Sequence, residues 1–583
     1  MLGLLPHVLP FVLNTMQFHL RFCCSGGLFL LSTTCTLAQS QGIPLHAPAY
    51  PILERLEIKT GVESPLHTAI KFYPRKDAAD YALQVDSQAT QLTSRDRADL
   101  QYLLDDNNEW VPDSSRYYRR NRKGLFKFFY KTPANLFEVN TPDFSLRANP
   151  MLHFQIASEQ GDNALLFVNQ RGLEVRGTVD KKVFFYTNLV ESQARFPQYV
   201  QERIDAYSTV PGAGLYKSYR PRVLDLTNAY DYYVGQAYIG LNVSKHVGVQ
   251  LGHGQHFLGN GYRSLLLSDV GGQTFYLKLN TRVWKLQYQN LFLELSPGSG
   301  NSPRSEPRIP RKFMAAHYLS YRVTPRLTVG LFEATVFNRG KNQFELQYLN
   351  PVILYRTVEA AIGSPDNVLI GLNGQWDLFR RVRLYGQLMV DEFLFASLVN
   401  PEQKGWWANK YGIQAGLKYI NAGGIDHLDL QLEWNYARPY LYSHGDSLNS
   451  YTHYNQPLAH PLWSNFKEII GIARYQPMPR LLLTARLIHA NMGENTATEN
   501  WGALPLLSYN GRLQEYGNTT SQGVAATLNT IGLDASWQLY HNMYIDLKAM
   551  FRQKNSADDT RDLNSKIFAV GMRMNMWPGN LDF

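Results

Sequence analysis

Residues 427–437 constrain the fold of this chain more than any other segment, because apolar and polar side chains alternate along them without a break. One face of an extended strand would carry Leu428, Leu430, Leu432, Trp434 and Tyr436. The opposite face would carry Asp429, Gln431, Glu433 and Asn435. Since alternate strand residues point to opposite faces, one face suits lipid and the other suits water. The pattern is typical of a transmembrane β-barrel.

The same alternation recurs in strand pairs joined by short turns, and long polar connections separate the pairs. The predicted turns lie at 244–246, 324–326, 421–424, 476–479 and 540–542, and a last strand covers 565–576. The predicted long connections are 255–272, 295–313, 337–368, 393–410, 438–466, 491–528 and 554–564. In outer-membrane barrels the short turns face the periplasm and the long loops face outside. At roughly 9–11 residues per spanning strand, we predict an all-β barrel of about 16–18 antiparallel strands.

The composition agrees with a barrel and disfavours helical membrane spans. Aromatic residues make up 13% of the chain, and its mean hydropathy is −0.30. No apolar run of about 20 residues occurs outside the N-terminus, as a transmembrane helix would need. The formal net charge of +9 comes from basic residues scattered along the chain. In an exported protein this charge favours acidic glycans or lipopolysaccharide phosphates over nucleic acid.

Residues 1–38 are predicted to form a secretory signal peptide. Arg21 precedes an apolar stretch, and 36–38 (TLA) is typical of a cleavage site. Translation could begin at Met1 or Met16. All cysteines lie in this segment, at Cys23, Cys24 and Cys35, so the mature chain would have no disulfide and no thiolate metal site. Lipidation of Cys35 is a minor alternative.

Residues 39–145 differ from the barrel segment, 146–583, because they contain helical patterns. We expect an extended opening at 50–56, followed by helices over Lys76–Val85 and Ser94–Leu104. Thr93 or Ser94 would cap the second helix. This small N-terminal helical region would plug the lumen or lie at its periplasmic mouth. A flexible periplasmic extension is the alternative.

Several segments together resemble one family. They include FVNQRGLEVRGTV (167–179), GHGQHFLGNGYRSLLLSD (252–269), GSPDN (363–367), WWANKYGIQAGLKY (406–419) and much of 437–468. The chain resembles the Wzi-type capsule-assembly family of outer-membrane proteins, in particular its Bacteroidota branch with the gliding-motility protein RemB. The resemblance implies a large barrel with N-terminal helices at its lumen. It also implies a surface lectin that organises capsular polysaccharide, or a surface component of gliding.

Residues 438–466 form the leading candidate for polysaccharide binding, as a connection expected to be exposed. Sugar recognition uses aromatic faces and planar hydrogen-bond donors. The loop is rich in such groups: Arg438, Tyr440, Tyr442, His444, Tyr451, His453, Tyr454, His460 and Trp463. Arg263 and Asp269, in a glycine-rich connection, are further candidates. The alternative interpretation is that these side chains pack the loops or form the interfacial aromatic girdle.

The sequence gives little support for a metal site or for catalysis. His253 and His256 are three residues apart, so they would point to opposite faces of a strand. The three histidines of 438–466 match no compact zinc motif. Two of the three carboxylates Asp366, Asp391 and Glu392 could act as a pair for glycoside hydrolysis, but a role as polar residues lining a lumen explains them more simply. We therefore predict no metal, no cofactor and no enzymatic activity.

The leading functional hypothesis is a non-catalytic outer-membrane barrel that binds or organises capsular or exopolysaccharide at the cell surface, or supports gliding. Its partners would be outer-membrane lipid, lipopolysaccharide and a polysaccharide, with surface or periplasmic lipoproteins left open. A porin-like transport channel with a helical plug is the alternative, and a barrel enzyme acting on lipids or glycans is a third hypothesis.

Overall fold

The computed structural model describes residues 39–121, 127–221, 227–298, 310–340, 342–351 and 354–583. The predicted signal peptide lies outside the described residues. Eighteen strands form the barrel, β1 to β18 in chain order: Phe144–Glu159, Asp162–Val179, Val183–Arg195, Ala229–Asn242, Val247–Gly254, Thr274–Val283, Leu286–Leu295, Lys312–Thr324, Leu327–Phe337, Asn367–Leu378, Val382–Glu392, Lys410–Tyr419, Leu428–Ala437, Phe466–Met478, Leu481–Glu494, Val524–Tyr540, Met543–Ser556 and Leu563–Met574.

The barrel is closed, and all its strand pairs are antiparallel. Each strand pairs with the next one along the chain, and β1 pairs with β18 from Leu152↔Met574 to Glu159↔Ile567. Closure leaves no unpaired strand edge, which lipid would not tolerate. The prediction of an all-β barrel with about 16–18 strands is confirmed.

The faces of the strands follow the sequence alternation. In β13, Leu432 is 56% exposed on the outside, whereas Glu433 and Asn435 are fully buried on the inside. The outer surface carries exposed apolar side chains all around the barrel, among them Leu189, Ile239, Leu251, Leu372, Ile469, Leu487, Leu547 and Phe568. This apolar exterior requires lipid as its solvent.

The two ends of the barrel differ in the length of their connections. One end carries short turns at 180–182, 243–246, 284–285, 325–326, 379–381, 420–427, 479–480 and 541–542. The other end carries the long connections 196–228, 255–273, 296–311, 338–366, 393–409, 438–465 and 495–523, with short ones at 160–161 and 557–562. The predicted long connection at 554–564 is therefore too long, because β17 and β18 extend into it. By the rule for outer-membrane barrels, the end with the short turns is periplasmic.

Three helices precede the barrel: α1 (Ala49–Thr60), α2 (Arg75–Gln88) and α3 (Ser94–Asp106). The expected extended opening at 50–56 is wrong, because α1 covers it and buries Leu53 and Leu56 on one side. Gly61, in the left-handed region at φ 65°, ends α1. Thr93 caps α3 in a reciprocal capping box with Asp96. None of the described helices is long and apolar enough to span a membrane.

Smaller elements lie in the connections and in the segment that precedes β1. The helices α4 (Gln198–Tyr207), α5 (Tyr355–Ile362) and α6 (Ala396–Val399) lie in long loops. Short strands are Phe137–Asn140, Tyr216–Tyr219, Thr452–His453 and Gln456–Pro457. Single turns of 3₁₀ helix cover Asn108–Trp110, Asp269–Gly271, Leu346–Leu349, Pro401–Gln403, Ala422–Gly424, Ser447–Asn449, Tyr509–Gly511 and Asp559–Arg561.

Ion pairs hold α1 against the inner wall of the barrel. The carboxylate of Glu54 lies 2.5 Å from Nζ of Lys418 in β12. The guanidinium of Arg55 donates to Asp429 of β13 at 2.6 Å. Glu57 accepts from Arg383 of β11, also at 2.6 Å. These wall residues lie close to the short turns, so the helix occupies the periplasmic half of the lumen.

Candidate functional site

The long connection 438–465 folds inward, packing against the other loops at the outer end of the barrel. Tyr442 and Tyr451 are 2% and 1% exposed, and their rings stack at 5.6 Å. Their hydroxyls donate to the backbone carbonyls of Leu265 and Leu266, at 2.7 and 2.8 Å. Both tyrosines therefore join this loop to 255–273. The structure does not support the expectation that the loop is exposed.

The histidines of this loop are buried and internally bonded. Nδ1 of His453 accepts from the backbone N–H of Ser296 at 2.9 Å, and its Nε2 donates to the carbonyl of Gln273 at 3.0 Å. Burial lowers the pKa of His453 to about 3. Nε2 of His460 lies 2.8 Å from the carboxylate of Glu468. Burial also lowers the pKa of His460, although Glu468 opposes that shift.

The other candidates in this loop also contact protein groups. Tyr440 is 1% exposed, and its hydroxyl donates to the carbonyl of Asn500 at 2.8 Å. Trp463 is buried beside Tyr207, with ring centroids 5.3 Å apart. Tyr454 is half-buried, and His444 is buried with its ring edge-on to another aromatic ring at the barrel mouth. Arg438 is buried and donates to the carbonyl of Trp406 at 3.2 Å.

Arg263 and Asp269 hold the connection 255–273 inside the barrel. Arg263 lies 2.9 Å from Oδ1 of Asp582, because residues 575–583 turn back into the lumen after β18. It also lies 3.5 Å from the carboxylate of Glu468. Asp269 lies 2.7 Å from Nε2 of His46 in the N-terminal segment. The structure thus places these residues among intramolecular partners.

The carboxylates weighed for catalysis pair with basic side chains, and the two histidines weighed for a metal do not converge. Asp366 receives two hydrogen bonds from Arg339, both at 2.9 Å. Asp391 and Glu392 share Lys410, at 3.0 and 3.4 Å. His253 is exposed whereas His256 is buried edge-on to an aromatic ring. Among the described residues, no group of three His, Cys, Asp or Glu side chains is placed to hold a metal ion.

A group of side chains that is partly open to solvent, with one buried indole, lies at the mouth of the barrel, above the buried loop. We call it the rim cluster: Trp406, Trp407, Tyr509, Arg512 and Glu515. Both indole N–H groups donate to Oε1 of Glu515, at 2.9 and 3.0 Å. The guanidinium of Arg512 stacks on Trp407, with Cζ 4.3 Å from the ring centroid. The ring of Tyr509 lies 4.7 Å from that of Trp407.

The buried candidates support the rim cluster from below. Trp407 packs edge-on against the buried ring of Tyr440, with centroids 6.2 Å apart. Arg438 fixes the backbone of Trp406. Trp406, Tyr509 and Arg512 keep part of their side chains in solvent. Aromatic faces beside a planar cation can hold sugar C–H groups and carboxylates. The sequence alone does not single out these residues, because 491–528 has no motif and the tryptophan pair contributes only to the family resemblance.

The comparisons with known proteins support the fold. No family model matches the sequence, and no curated protein matches it significantly. The structure is similar to that of Wzi from Escherichia coli, described as an outer-membrane protein involved in group 1 capsule assembly and a carbohydrate-binding β-barrel. The TM-score is 0.55 at 12% identity, with 93% of this chain and 100% of Wzi covered. OprD from Pseudomonas aeruginosa matches at a TM-score of 0.40 and 12% identity, over 74% of this chain and 94% of OprD.

At such identities the likeness concerns the fold alone. The closed barrel of eighteen strands, its apolar exterior and the sorting of its connections by length together assign the chain to the Gram-negative outer membrane, as a multi-pass β-barrel. This confirms the predicted fold and location.

Proposed function

We propose that this protein holds polysaccharide at the cell surface, as a non-enzymatic barrel of the Wzi type. The observation that carries the proposal is the rim cluster, where Trp406, Tyr509 and Arg512 are half-exposed at the outer end. A sugar ring would stack on the indole or phenol face, and a sugar hydroxyl would accept from the guanidinium of Arg512, which Glu515 already neutralises at 2.8 Å. The net charge of +9 favours an anionic glycan.

The filling of the lumen supports the binding of polysaccharide rather than the passage of solutes through the barrel. The helices α1 to α3 occupy the periplasmic half, and the inward loops occupy the outer half. Residues 575–583 cross the space between them, where the carbonyl of Phe583 accepts from Arg552 at 3.1 Å. The guanidinium of Arg203 lies 4.2 Å from the ring of Phe583. We therefore propose that residues 39–145 act as a plug, and we keep the transport channel as the second candidate function.

The binding test compares the rim with another exposed part of the loops. The double variant Trp406→Ala/Arg512→Ala should bind purified capsular polysaccharide about tenfold more weakly or worse, because it loses one stacking surface and one charged donor. The matched control is Phe395→Ala/Arg356→Ala, which removes an exposed aromatic ring and an exposed arginine from neighbouring loops. The measurement is biolayer interferometry with the full chain in detergent.

Unchanged binding by a folded rim variant would refute the site. Folding is checked by the heat-dependent shift in gel mobility that barrels show. Deletion of the gene, scored for both capsule retention and surface spreading, separates the capsule role from a RemB-like role in gliding. Loss of spreading with an intact capsule would favour gliding and lipoprotein partners. Loss of capsule would favour polysaccharide organisation.

A further inference from the structure

A cleft remains between the N-terminal segment and one part of the barrel wall. Its enclosed part is about 50 Å³, and the open space at its mouth adjoins bulk solvent. Gln39, Ser40, Gly42, residues 70–72 and Pro74 form one side. The inward faces of β4 to β7 form the other side. The cleft lies in the lumen, so it is separate from the rim cluster.

The mouth of the cleft faces the periplasm. His246, Thr281 and Arg282 line it beside the short turns 243–246 and 284–285, and His246 is exposed. The opposite end is closed by loops, because Nε2 of Gln255 donates to the carbonyl of Asp269 at 3.0 Å. A ligand would therefore enter from the periplasmic side.

The lining is rich in hydrogen-bonding groups and carries no carboxylate among the described residues. Amide side chains predominate: Gln236, Gln250, Asn280, Gln287 and Gln289. The rings of Tyr238 and Tyr276 provide aromatic surface. Amides both donate and accept, which matches the hydroxyl groups of a sugar.

Two polar groups of the wall have no hydrogen bond or ion pair with the described residues, although the amine of Lys278 lies 5.4 Å from the centroid of the Tyr276 ring. Oε1 of Gln287 is buried without a hydrogen bond. Lys278 is 7% exposed, and no carboxylate in the described part of the chain lies within ion-pair distance of its amine. The other lysine and the arginine of the lining are neutralised, Lys71 by Glu54 at 2.9 Å and Arg282 by Asp77 at 2.8 Å. A buried, unpaired ammonium is costly, so an anion beside it would gain binding free energy.

We propose that the cleft binds one acidic saccharide unit of the uronic-acid type. Its carboxylate pairs with Lys278, and its hydroxyls bond to the amides of Gln250 and Gln287. This site goes beyond the proposed function, because it lies in the lumen, opens to the periplasm and shares no residue with the rim cluster.

The test is isothermal titration of the full chain in detergent with D-glucuronate, D-glucose and acetate. Glucuronate should bind saturably, and glucose and acetate should each bind about tenfold more weakly, because each lacks half of the recognised chemistry. Lys278→Met should weaken glucuronate about tenfold and leave glucose unchanged. Gln287→Leu, a second variant that keeps the charge, should weaken both sugars.

The matched control is Lys245→Met, which removes the same charge from an exposed turn at the same end of the barrel. It should bind glucuronate as the native protein does. The rim variant Trp406→Ala/Arg512→Ala should also keep this binding, so failure of the surface site and failure of the cleft are told apart. Three results would overturn the proposal: no saturable glucuronate binding, equal binding of acetate, or native affinity in folded Lys278→Met.

Discussion

Replacing Arg383 by methionine should release the plug from the wall without opening the barrel. Arg383 is fully buried in β11 and binds two carboxylates. Its Nε and Nη2 donate to Asp377 of the adjacent strand at 2.6 and 2.7 Å. Its Nη2 also donates to Glu57 of α1 at 2.6 Å. Methionine fills similar space but leaves both carboxylates unpaired.

The size of the effect follows from that geometry. Breaking a buried ion pair by removing one partner costs about 3–5 kcal/mol, because an uncompensated charge remains. Each 1.4 kcal/mol is a factor of ten in an equilibrium constant, so the undocked population of α1 should rise about 10²- to 10⁴-fold. The barrel strands keep their ladder of hydrogen bonds, so their protection should change little.

Hydrogen exchange measured by mass spectrometry checks this prediction. Amides of α1 should exchange faster by that factor, whereas peptides from β14 to β17 should not. Arg381→Met, which removes an exposed charge from the neighbouring turn, is the control. Neutralising the partners as well, in Glu57→Gln/Asp377→Asn/Arg383→Met, should restore most of the protection. Native exchange of α1 in Arg383→Met would refute the reasoning that this pair docks the plug.

Two further predictions concern packing and pH. Gly416→Ala would place a Cβ 2.1 Å from the ring of Tyr385, so overpacking should cost about 1–3 kcal/mol of stability and lower the melting temperature. Gly374→Ala, whose Cβ would have no heavy atom within 4 Å, is the control and should melt like the native protein. A gel-mobility assay measures both. The pKa of His453 is depressed to about 3 in the folded loop, so its contribution to stability is full above the unfolded value near 6.5 and falls as pH drops towards 3. Exchange protection of residues 450–458 should decline over that window, and His453→Gln should show a flatter profile; an unchanged profile would contradict this assignment.

The barrel was predictable because the strands face two solvents. In β13 the outward residues must be apolar and the inward ones polar, so the side-chain types of Leu432 and Glu433 indicate which face of the strand each residue occupies. The turns at 244–246 and 324–326 were located for the same reason, since the alternation stops there. The helices α2 and α3 followed from their apolar spacing and from the cap at Thr93.

The positions of the long loops were not predictable from composition. Tyr442, Tyr451 and His453 would look the same in an exposed binding loop and in a loop folded into a polar lumen, because both need hydrogen-bonding side chains. Only the three-dimensional structure shows that their partners are backbone groups of other loops. The rim cluster could not be found either, since Trp407 and Arg512 are distant in sequence and meet only after the loops fold.

Conductance across a planar lipid bilayer tests most directly whether this barrel holds glycan rather than passing solutes. With helices, loops and residues 575–583 filling the lumen, the native protein should show no steady conductance. Arg383→Met should also stay closed, because the inward loops and residues 575–583 still fill the outer half of the lumen. A stable open conductance of the native protein, equal in Arg383→Met, would contradict the account and favour a transport channel.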